Sequence, residues 1–175
     1  MNKKLNIGVI SCSVMAQLHM KAVIDHPNAE LYMICDINEA LLNETAAKYN
    51  ISRKTTDYRQ MLADPAVDAV IIVTPDQTHR EISVAALEAG KHVLCEKPMA
   101  LTPDDCKAMI DAAAKAKTKM MVGQICRYTP GFVAAKNLIE RGEIGELFFV
   151  ETEYAHDYSK IDLPWRLDPL RHGFL

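Results

Sequence analysis

The stretch Leu5-Asn6-Ile7-Gly8-Val9-Ile10-Ser11-Cys12-Ser13-Val14-Met15-Ala16 carries a short apolar run, a polar turn and the start of a second apolar stretch. An apolar run of this length without polar alternation is typical of a strand that helices cover on both faces. Four later runs have the same character: Leu31–Cys35, Ala69–Val73, His92–Cys95 and Met120–Val122. Longer amphipathic stretches separate the runs, so we expect βαβ units and an α/β fold with a doubly wound parallel sheet.

Residues typical of helix ends lie between these runs. Thr78-x-x-Glu81 and Thr102-Pro103-Asp104-Asp105 have the form of N-terminal capping boxes. Asn50 and Gly90 stand where helices are expected to end. These signals support an unbroken alternation of strands and helices as far as residue 125.

The pattern changes after residue 125. Thr129-Pro130 and Gly142 delimit a further expected helix, and Glu146 to Tyr158 alternates like a long, half-exposed strand. We expect a Rossmann-type domain over residues 1–125 and the incomplete beginning of an α+β substrate and oligomerisation domain over residues 126–175. Because a lone strand does not stabilise itself in water, we expect a homo-oligomer that forms through the second-domain sheet.

Composition excludes several classes of protein. Lys and Arg number 20 against 23 Asp and Glu, and a net charge of -3 gives no basic excess for nucleic-acid binding. No apolar run is long enough for a signal-peptide core or a membrane span. The cysteines have no C-x-x-C spacing, and His79 and His92 lack a third ligand, so we expect reduced thiols, no metal and a cytoplasmic protein. The five cysteines are Cys12, Cys35, Cys95, Cys106 and Cys126.

Polar side chains follow four of the expected strands. They are Asp36, Thr74-Pro75-Asp76, Glu96-Lys97-Pro98 and Gln124. Because ligands of open α/β sheets bind at the carboxyl ends of the strands, we expect these residues to face one crevice. The alternative at each single position is an ordinary loop, since loops are polar in any case.

The turn after the first run stands where a dinucleotide-binding turn has the pattern G-x-G-x-x-G/A. Ser11 and Ser13 occupy the first two glycine positions, and Ala16 fits the third. A serine hydroxyl donates well to a phosphate, and the helix N-terminus that follows favours an anion. The alternative is an ordinary turn from strand to helix.

Asp36 lies twenty positions (36 − 16) beyond Ala16, where a carboxylate accepts hydrogen bonds from a ribose diol. Its charge disfavours a 2′-phosphate, and Ile37-Asn38-Glu39 brings no Arg. We therefore expect NAD rather than NADP as the cofactor. The alternative is that Asp36 only caps the following helix.

The triplet Glu96-Lys97-Pro98 is a candidate for proton transfer. Desolvation at a buried strand end lowers the pKa of a lysine and suits it to donate or accept a proton, while Glu96 orients it. Pro98 fixes the chain, and a cis bond is one way to do so. The alternative is a solvated Glu/Lys pair in a turn.

Taken together, these residues resemble the Gfo/Idh/MocA oxidoreductases, the group of glucose-fructose oxidoreductase and inositol dehydrogenase. The resemblance covers nearly the whole sequence. It rests on residues 7–10 with Met15, Ala16 and His19, on residues 74–79, on residues 86–98 and on Trp165-Arg166.

The resemblance implies an NAD-dependent oxidoreductase of the CH-OH donor type. Such an enzyme moves a hydride between nicotinamide and a carbinol carbon of a sugar, inositol or related polyol. Lys97 is implied as the catalytic residue that contacts substrate and nicotinamide. The implied cofactor-binding residues are Ser11, Ser13, Val14, Met15, Asp36, Thr74, Pro75, His79, Glu96, Lys97, Trp165 and Arg166.

The sequence departs from that family in its serine turn and in its length. Family members are about twice as long, and the resemblance places their second-domain Asp-x-x-x-His motif beyond Leu175. We therefore expect the 175-residue chain to be an inactive fragment that binds NADH weakly. A non-catalytic dinucleotide-binding module is the alternative function. A Rossmann methyltransferase is a second alternative, which Glu96-Lys97-Pro98 disfavours.

Overall fold

The structure, a computed structural model, describes residues 4–153 and 155. Its helices and strands are β1 (Leu5–Ile10), α1 (Val14–Asp25), β2 (Ala29–Cys35), α2 (Glu39–Tyr49), β3 (Lys54–Thr55), α3 (Tyr58–Ala63), β4 (Ala69–Ile72), α4 (His79–Glu88), β5 (His92–Cys95), α5 (Pro103–Lys115), β6 (Met120–Val122) and α6 (Pro130–Glu140). Short 3₁₀ helices at Asp76–Thr78 and Ile125–Tyr128 precede α4 and α6.

The strands form one parallel sheet in the order β3-β2-β1-β4-β5-β6. This is the strand order of a Rossmann-type doubly wound sheet, so the expected fold is confirmed. From β1 the strand order continues through β2 to β3 at one edge of the sheet, and from β4 it continues through β5 to β6 at the other edge. The direction in which strands are added therefore reverses between β1 and β4. The crevice at their carboxyl ends is therefore the place where the topology favours a ligand.

Helices cover the sheet on both faces. Along β4, Ile71 packs in the cluster that includes Met20 of α1, while Val70 packs in the cluster that includes Met61 of α3. Since alternate residues of one strand are buried on opposite faces, the strand sequences are apolar without alternation. A side chain at Gly8 would overlap Met61, so the glycine permits the close approach of α3 to β1.

One local prediction was wrong, and one short strand was not predicted. Thr78 does not cap α4, because its hydroxyl donates to the Pro75 carbonyl at 2.7 Å within the preceding 3₁₀ turn. The second capping box is confirmed, since the Thr102 hydroxyl oxygen accepts the Asp105 N–H at 3.1 Å. The strand β3 was missed because its two residues form no apolar run.

The region after residue 125 matches the expectation in part. The predicted helix is present as α6, and all of its residues are exposed. The strand predicted from Glu146 to Tyr158 was wrong over residues 146–153, which are exposed and not in a strand. A strand needs a hydrogen-bonded neighbour, and the described residues provide none for this segment. The rest of that segment, apart from Ala155, lies outside the described residues, and the division into two domains stays a prediction.

No helix in the described part of the chain is long and apolar enough to cross a membrane. The five cysteines are free thiols in the structure. Burial raises the pKa of Cys12 to about 11 and the pKa of Cys35 and Cys95 to about 12. Cys106 and Cys126 are half-buried.

We expect Ellman's reagent near pH 8 to react quickly with Cys106 and Cys126 only, because the thiolate is the nucleophile and the buried thiols form almost none at this pH. The absorbance of the coloured thiolate that the reagent releases counts the reacted thiols in the native chain. A second count in denaturant provides the control and should rise to five. A native count above two would contradict the buried packing of Cys12, Cys35 and Cys95.

Candidate functional site

A pocket of about 520 Å³ opens at the carboxyl ends of β1, β2 and β4. Its lining includes Ser11, Asp36, Tyr58, Arg59, Thr74 and Pro75. A groove of about 610 Å³ lies between α4 and α5, but none of the described candidate residues lines it. The smaller pocket is therefore the candidate site, since it coincides with the topological switch of the sheet.

Ser11 adopts a backbone conformation that favours glycine. Its φ is 103°, in the left-handed region, where a Cβ is strained. The Ser11 N–H donates to the Cys35 carbonyl at 2.7 Å, and its hydroxyl oxygen accepts the Ser13 N–H at 3.1 Å. The turn thus keeps the geometry of a glycine turn although serine occupies it.

The turn leads directly into α1, which is capped by Ser13. The Ser13 hydroxyl oxygen accepts the Ala16 N–H at 3.4 Å, a long bond. Val14 and Met15 form the start of the helix, and their side chains are exposed. The first N–H groups of a helix lack partners within the helix and attract an anion, so this end of α1 suits a pyrophosphate.

Asp36 joins the turn to the end of β2. One carboxylate oxygen accepts the Cys12 N–H at 2.7 Å, and the other accepts the Asn38 N–H at 2.8 Å. The cap of α2 is Asn38, whose side chain accepts the Leu41 N–H, so Asp36 is not the cap of that helix. Each carboxylate oxygen can accept a further hydrogen bond, which leaves capacity for ribose hydroxyls.

His79 lies behind the Thr74-Pro75 loop, and its side chain does not line the pocket. The residue is 1% exposed. Its Nδ1 lies 2.7 Å from the Pro98 carbonyl oxygen and its Nε2 lies 2.9 Å from the Thr74 carbonyl oxygen. Both ring nitrogens are thus occupied by the loops after β4 and β5, which corrects the expectation that His79 itself lies along a cofactor. It connects the two loops instead.

Glu96 is buried at the end of β5 and is held on two sides. One carboxylate oxygen lies 2.8 Å from Nε2 of His19 on α1, and the other accepts the Lys97 N–H at 3.0 Å. The Lys97-Pro98 bond is cis. These contacts replace the solvated Glu/Lys pair that was the alternative for this triplet.

Lys97 itself is exposed, which corrects the expectation of a buried lysine. The strand β5 ends at Cys95, and nothing in the described part of the chain covers the side chain beyond that point. The desolvation on which that expectation depended is therefore absent from the described chain.

Sequence reasoning missed Tyr58 and Arg59, which begin α3 and line the pocket. They reach it because β3 pairs with β2 and places the start of α3 beside Asp36. The signal that could have found them is Asp57, an N-cap residue that follows the short strand.

Several described candidates lie outside the pocket lining, among them Ser13, Val14, Met15, Glu96 and Lys97. Gln124 follows β6 but is absent from the pocket lining. Trp165 and Arg166 lie outside the described residues. Among the residues that the structure describes, no cluster of three or more His, Cys, Asp or Glu side chains is arranged to hold a metal ion.

Comparisons with known proteins identify the family of this chain. The model of the Gfo/Idh/MocA family, described as an oxidoreductase family with an NAD-binding Rossmann fold, matches residues 5–124. Levoglucosan dehydrogenase of Pseudarthrobacter phenanthrenivorans is 35% identical over 175 aligned residues, which cover 94% of this chain and 45% of that protein. Inositol 2-dehydrogenase of Salmonella typhimurium is 34% identical, with 91% and 48% covered.

Solved structures give the same result. Levoglucosan dehydrogenase in complex with NADH and levoglucosan superposes with a TM-score of 0.77 at 36% identity, over 82% of this chain and 40% of that one. The chain thus spans less than half the length of these relatives.

The strain at Ser11 predicts opposite effects for the two serines of the turn. Ser11→Gly should stabilise the fold by about 1 kcal/mol, because glycine adopts a positive φ without steric cost. Ser13→Ala should destabilise it by about 0.5 to 1 kcal/mol, because α1 loses its cap. Urea unfolding of both variants and the parent chain measures the two changes. A destabilised Ser11→Gly variant would show that the side-chain bond to Ser13 outweighs the backbone strain.

Proposed function

This chain belongs to the Gfo/Idh/MocA family of oxidoreductases, whose N-terminal domain has an NAD-binding Rossmann fold, and we propose from this that the whole protein is an NAD-dependent dehydrogenase. Its reaction would transfer a hydride between nicotinamide and a carbinol carbon of a sugar, inositol or related polyol. The printed names of the relatives, levoglucosan and inositol dehydrogenases, support this substrate class.

One observation carries the cofactor assignment: the N-terminus of α1 and the Asp36 carboxylate belong to the same strand-end site. The helix end supplies N–H donors for a pyrophosphate, and Asp36 supplies acceptors for ribose hydroxyls. In this proposal Ser11, Ser13, Val14 and Met15 form the pyrophosphate turn. Bound NAD would supply the hydride-accepting ring, which no side chain of the protein can replace.

Thr74 and Pro75 would hold the cofactor along the loop after β4. The Thr74 and Thr78 hydroxyl oxygens lie 2.7 Å apart, and Nε2 of His79 lies 2.9 Å from the Thr74 carbonyl oxygen, so the two residues that follow the loop hold Thr74 in place. The loop is therefore fixed before a ligand arrives, which limits the entropy that binding must remove.

Lys97 would exchange a proton with the substrate hydroxyl as the hydride moves. Its backbone is fixed by Glu96, and Glu96 is fixed by His19. The exposed Lys97 side chain remains free to reach a substrate. Trp165 and Arg166 stay proposed cofactor contacts on the basis of the family resemblance.

A non-catalytic dinucleotide-binding module is the second candidate, because none of the described residues covers Lys97 to hold a substrate against it. The two functions differ in a direct assay. Absorbance of NADH in the presence of levoglucosan or myo-inositol measures turnover by the whole protein. NADH binding without turnover of any polyol in a broad panel would favour the binding module.

We further propose that the protein is cytoplasmic and forms a homo-oligomer. Five free cysteines suit a reducing compartment. Leu147, Phe148, Phe149 and Val150 are exposed apolar residues next to one another, and a second copy of the chain would cover them. Light scattering of the chain and of a truncation after Gly142 tests the proposed homo-oligomer, and a longer chain that is monomeric would refute it.

The pocket should bind NADH at least about tenfold more tightly than NADPH. The reason is that the Asp36 carboxylate accepts ribose hydroxyls but repels a 2′-phosphate, a difference of about 1.5 to 3 kcal/mol. Fluorescence titrations of the same preparation with NADH and NADPH measure the two dissociation constants. Equal or tighter binding of NADPH would remove Asp36 from this role.

Lys97→Met in the whole protein should lower kcat by about 100- to 10,000-fold, as expected for the loss of a proton-transfer group. The dissociation constant of NADH should change by less than about threefold, because ribose and pyrophosphate contacts lie elsewhere. Lys107→Met is a matched control, since Lys107 is an exposed lysine on α5 that pairs with Asp111. A Lys97→Met variant with most of its kcat intact would exclude the proposed role.

A further inference from the structure

We propose that Glu81, on α4, determines the preference for NAD over NADP together with Asp36, because it holds the charge of Arg59 away from a 2′-phosphate. This inference rests on the proposed dinucleotide site and adds a specificity-determining residue to it. Glu81 was predicted to take part in a helix cap, but its carboxylate accepts hydrogen bonds from Tyr58 and Arg59.

Arg59 is the one cationic side chain among the described residues that line the pocket. It shares this pocket with Asp36, the proposed ribose ligand. In Rossmann domains an arginine near that ribose accommodates the 2′-phosphate of NADP. The pocket therefore contains a group that would favour NADP if its donors were available.

The donors of Arg59 are directed to carboxylates. Its Nη2 lies 3.0 Å from Oε1 of Glu81, and its Nη1 lies 3.5 Å from Oδ1 of Asp57. Its guanidinium carbon lies 4.6 Å from the centre of the Tyr58 ring. The Tyr58 hydroxyl donates to the same Glu81 oxygen at 2.6 Å, so both side chains at the start of α3 converge on Glu81.

The charges around the ribose position explain the consequence. Asp36, Asp57 and Glu81 carry three negative charges against the single positive charge of Arg59. A 2′-phosphate adds further negative charge, so it would meet repulsion and an arginine that is already paired. The ribose hydroxyls of NAD carry no charge and avoid this penalty.

The charge of Asp36 alone does not account for the expected preference for NAD over NADP. Replacing Asp36 by a neutral residue removes one repulsive charge, but Arg59 stays paired with Glu81. Replacing Glu81 as well frees the guanidinium to bind the phosphate. The double substitution should therefore improve the free energy of NADPH binding by more than the sum of the two single substitutions. This extra gain should require Arg59.

A purely structural role for this cluster is the competing explanation. The cluster joins α3 to α4, and its side chains are exposed, with Arg59 at 66% and Glu81 at 59%. Exposed ion pairs contribute little to stability. A structural role predicts equal changes in NADH and NADPH binding, whereas the proposed role predicts a change in their ratio.

The test is a set of fluorescence titrations with NADH and with NADPH. The variants are Asp36→Ser, Glu81→Gln, the double variant, and the double variant with Arg59→Met. The matched control adds Arg53→Met to the double variant, because the Arg53 guanidinium carbon lies 4.3 Å from the Tyr32 ring in a separate groove.

Relative to Asp36→Ser, the double variant should bind NADPH about three- to tenfold more tightly, and its NADH affinity should change by less than about twofold. Arg59→Met should cancel this gain, and Arg53→Met should not. The gain should shrink when NaCl is raised from about 0.05 M to about 0.5 M, because salt screens exposed charges.

A double variant that binds NADPH no better than Asp36→Ser overturns the role of Glu81. A gain that survives Arg59→Met, or equal changes for NADH and NADPH, overturns it as well. If the parent chain binds NADH while these results appear, the proposed function stands and only the role of Glu81 fails. If neither dinucleotide binds to any variant, the proposed dinucleotide site fails and this inference fails with it.

Discussion

The hydrogen bond from the Cys12 N–H to the Asp36 carboxylate, 2.7 Å long, joins the ends of the two strands on which the site is built. The Ser11 N–H adds a second link from the same turn, to the Cys35 carbonyl at the end of β2. To make both links, Ser11 adopts a positive φ that only glycine adopts freely. Since α1 starts directly after this turn, its N-terminus and Asp36 are brought to one edge of the sheet.

The same helix also reaches the other half of the site. His19 lies on α1 and contacts Glu96 at the end of β5, so α1 connects the proposed pyrophosphate turn to the loop that carries Lys97. A Cβ at Gly123, after β6, would lie 3.3 Å from the same Glu96 oxygen. The absence of a side chain there leaves room for the Glu96 carboxylate between α1 and the loop after β6.

How far the sequence predicts this structure depends on the range of the interactions involved. Strands that are buried on both faces have apolar sequences without alternation, and the apolar runs at β1, β2, β4 and β5 identified the fold. The run at β6 was identified as well, although its central Met121 is exposed. Asp36 was predicted because its position follows from the end of β2. Contacts between distant segments carry no local signal, which is why the link from His79 to Pro98 and the place of Arg59 beside Asp36 were missed.

Two wrong predictions also concern what surrounds a side chain in the fold. Thr78 and Glu81 have the spacing of a capping box. The Thr78 hydroxyl instead donates to a carbonyl within a 3₁₀ turn, and the Glu81 carboxylate accepts from Tyr58 and Arg59. Lys97 follows a buried strand, yet local burial ends with the strand and the side chain is exposed. In both places the local pattern predicted a role that the tertiary surroundings do not give the side chain.

The two halves of the proposed function depend on different parts of the chain. The proposed contacts to the adenosine side of the cofactor come from residues between β1 and α4, where hydrogen bonds hold Asp36 and the Thr74 carbonyl. The proposed chemistry depends on Lys97, which is positioned through its backbone but has no cover over its side chain. Under the proposed function, binding of the dinucleotide and turnover would therefore be separable, because the residues proposed to select the cofactor do not include those that would surround the substrate.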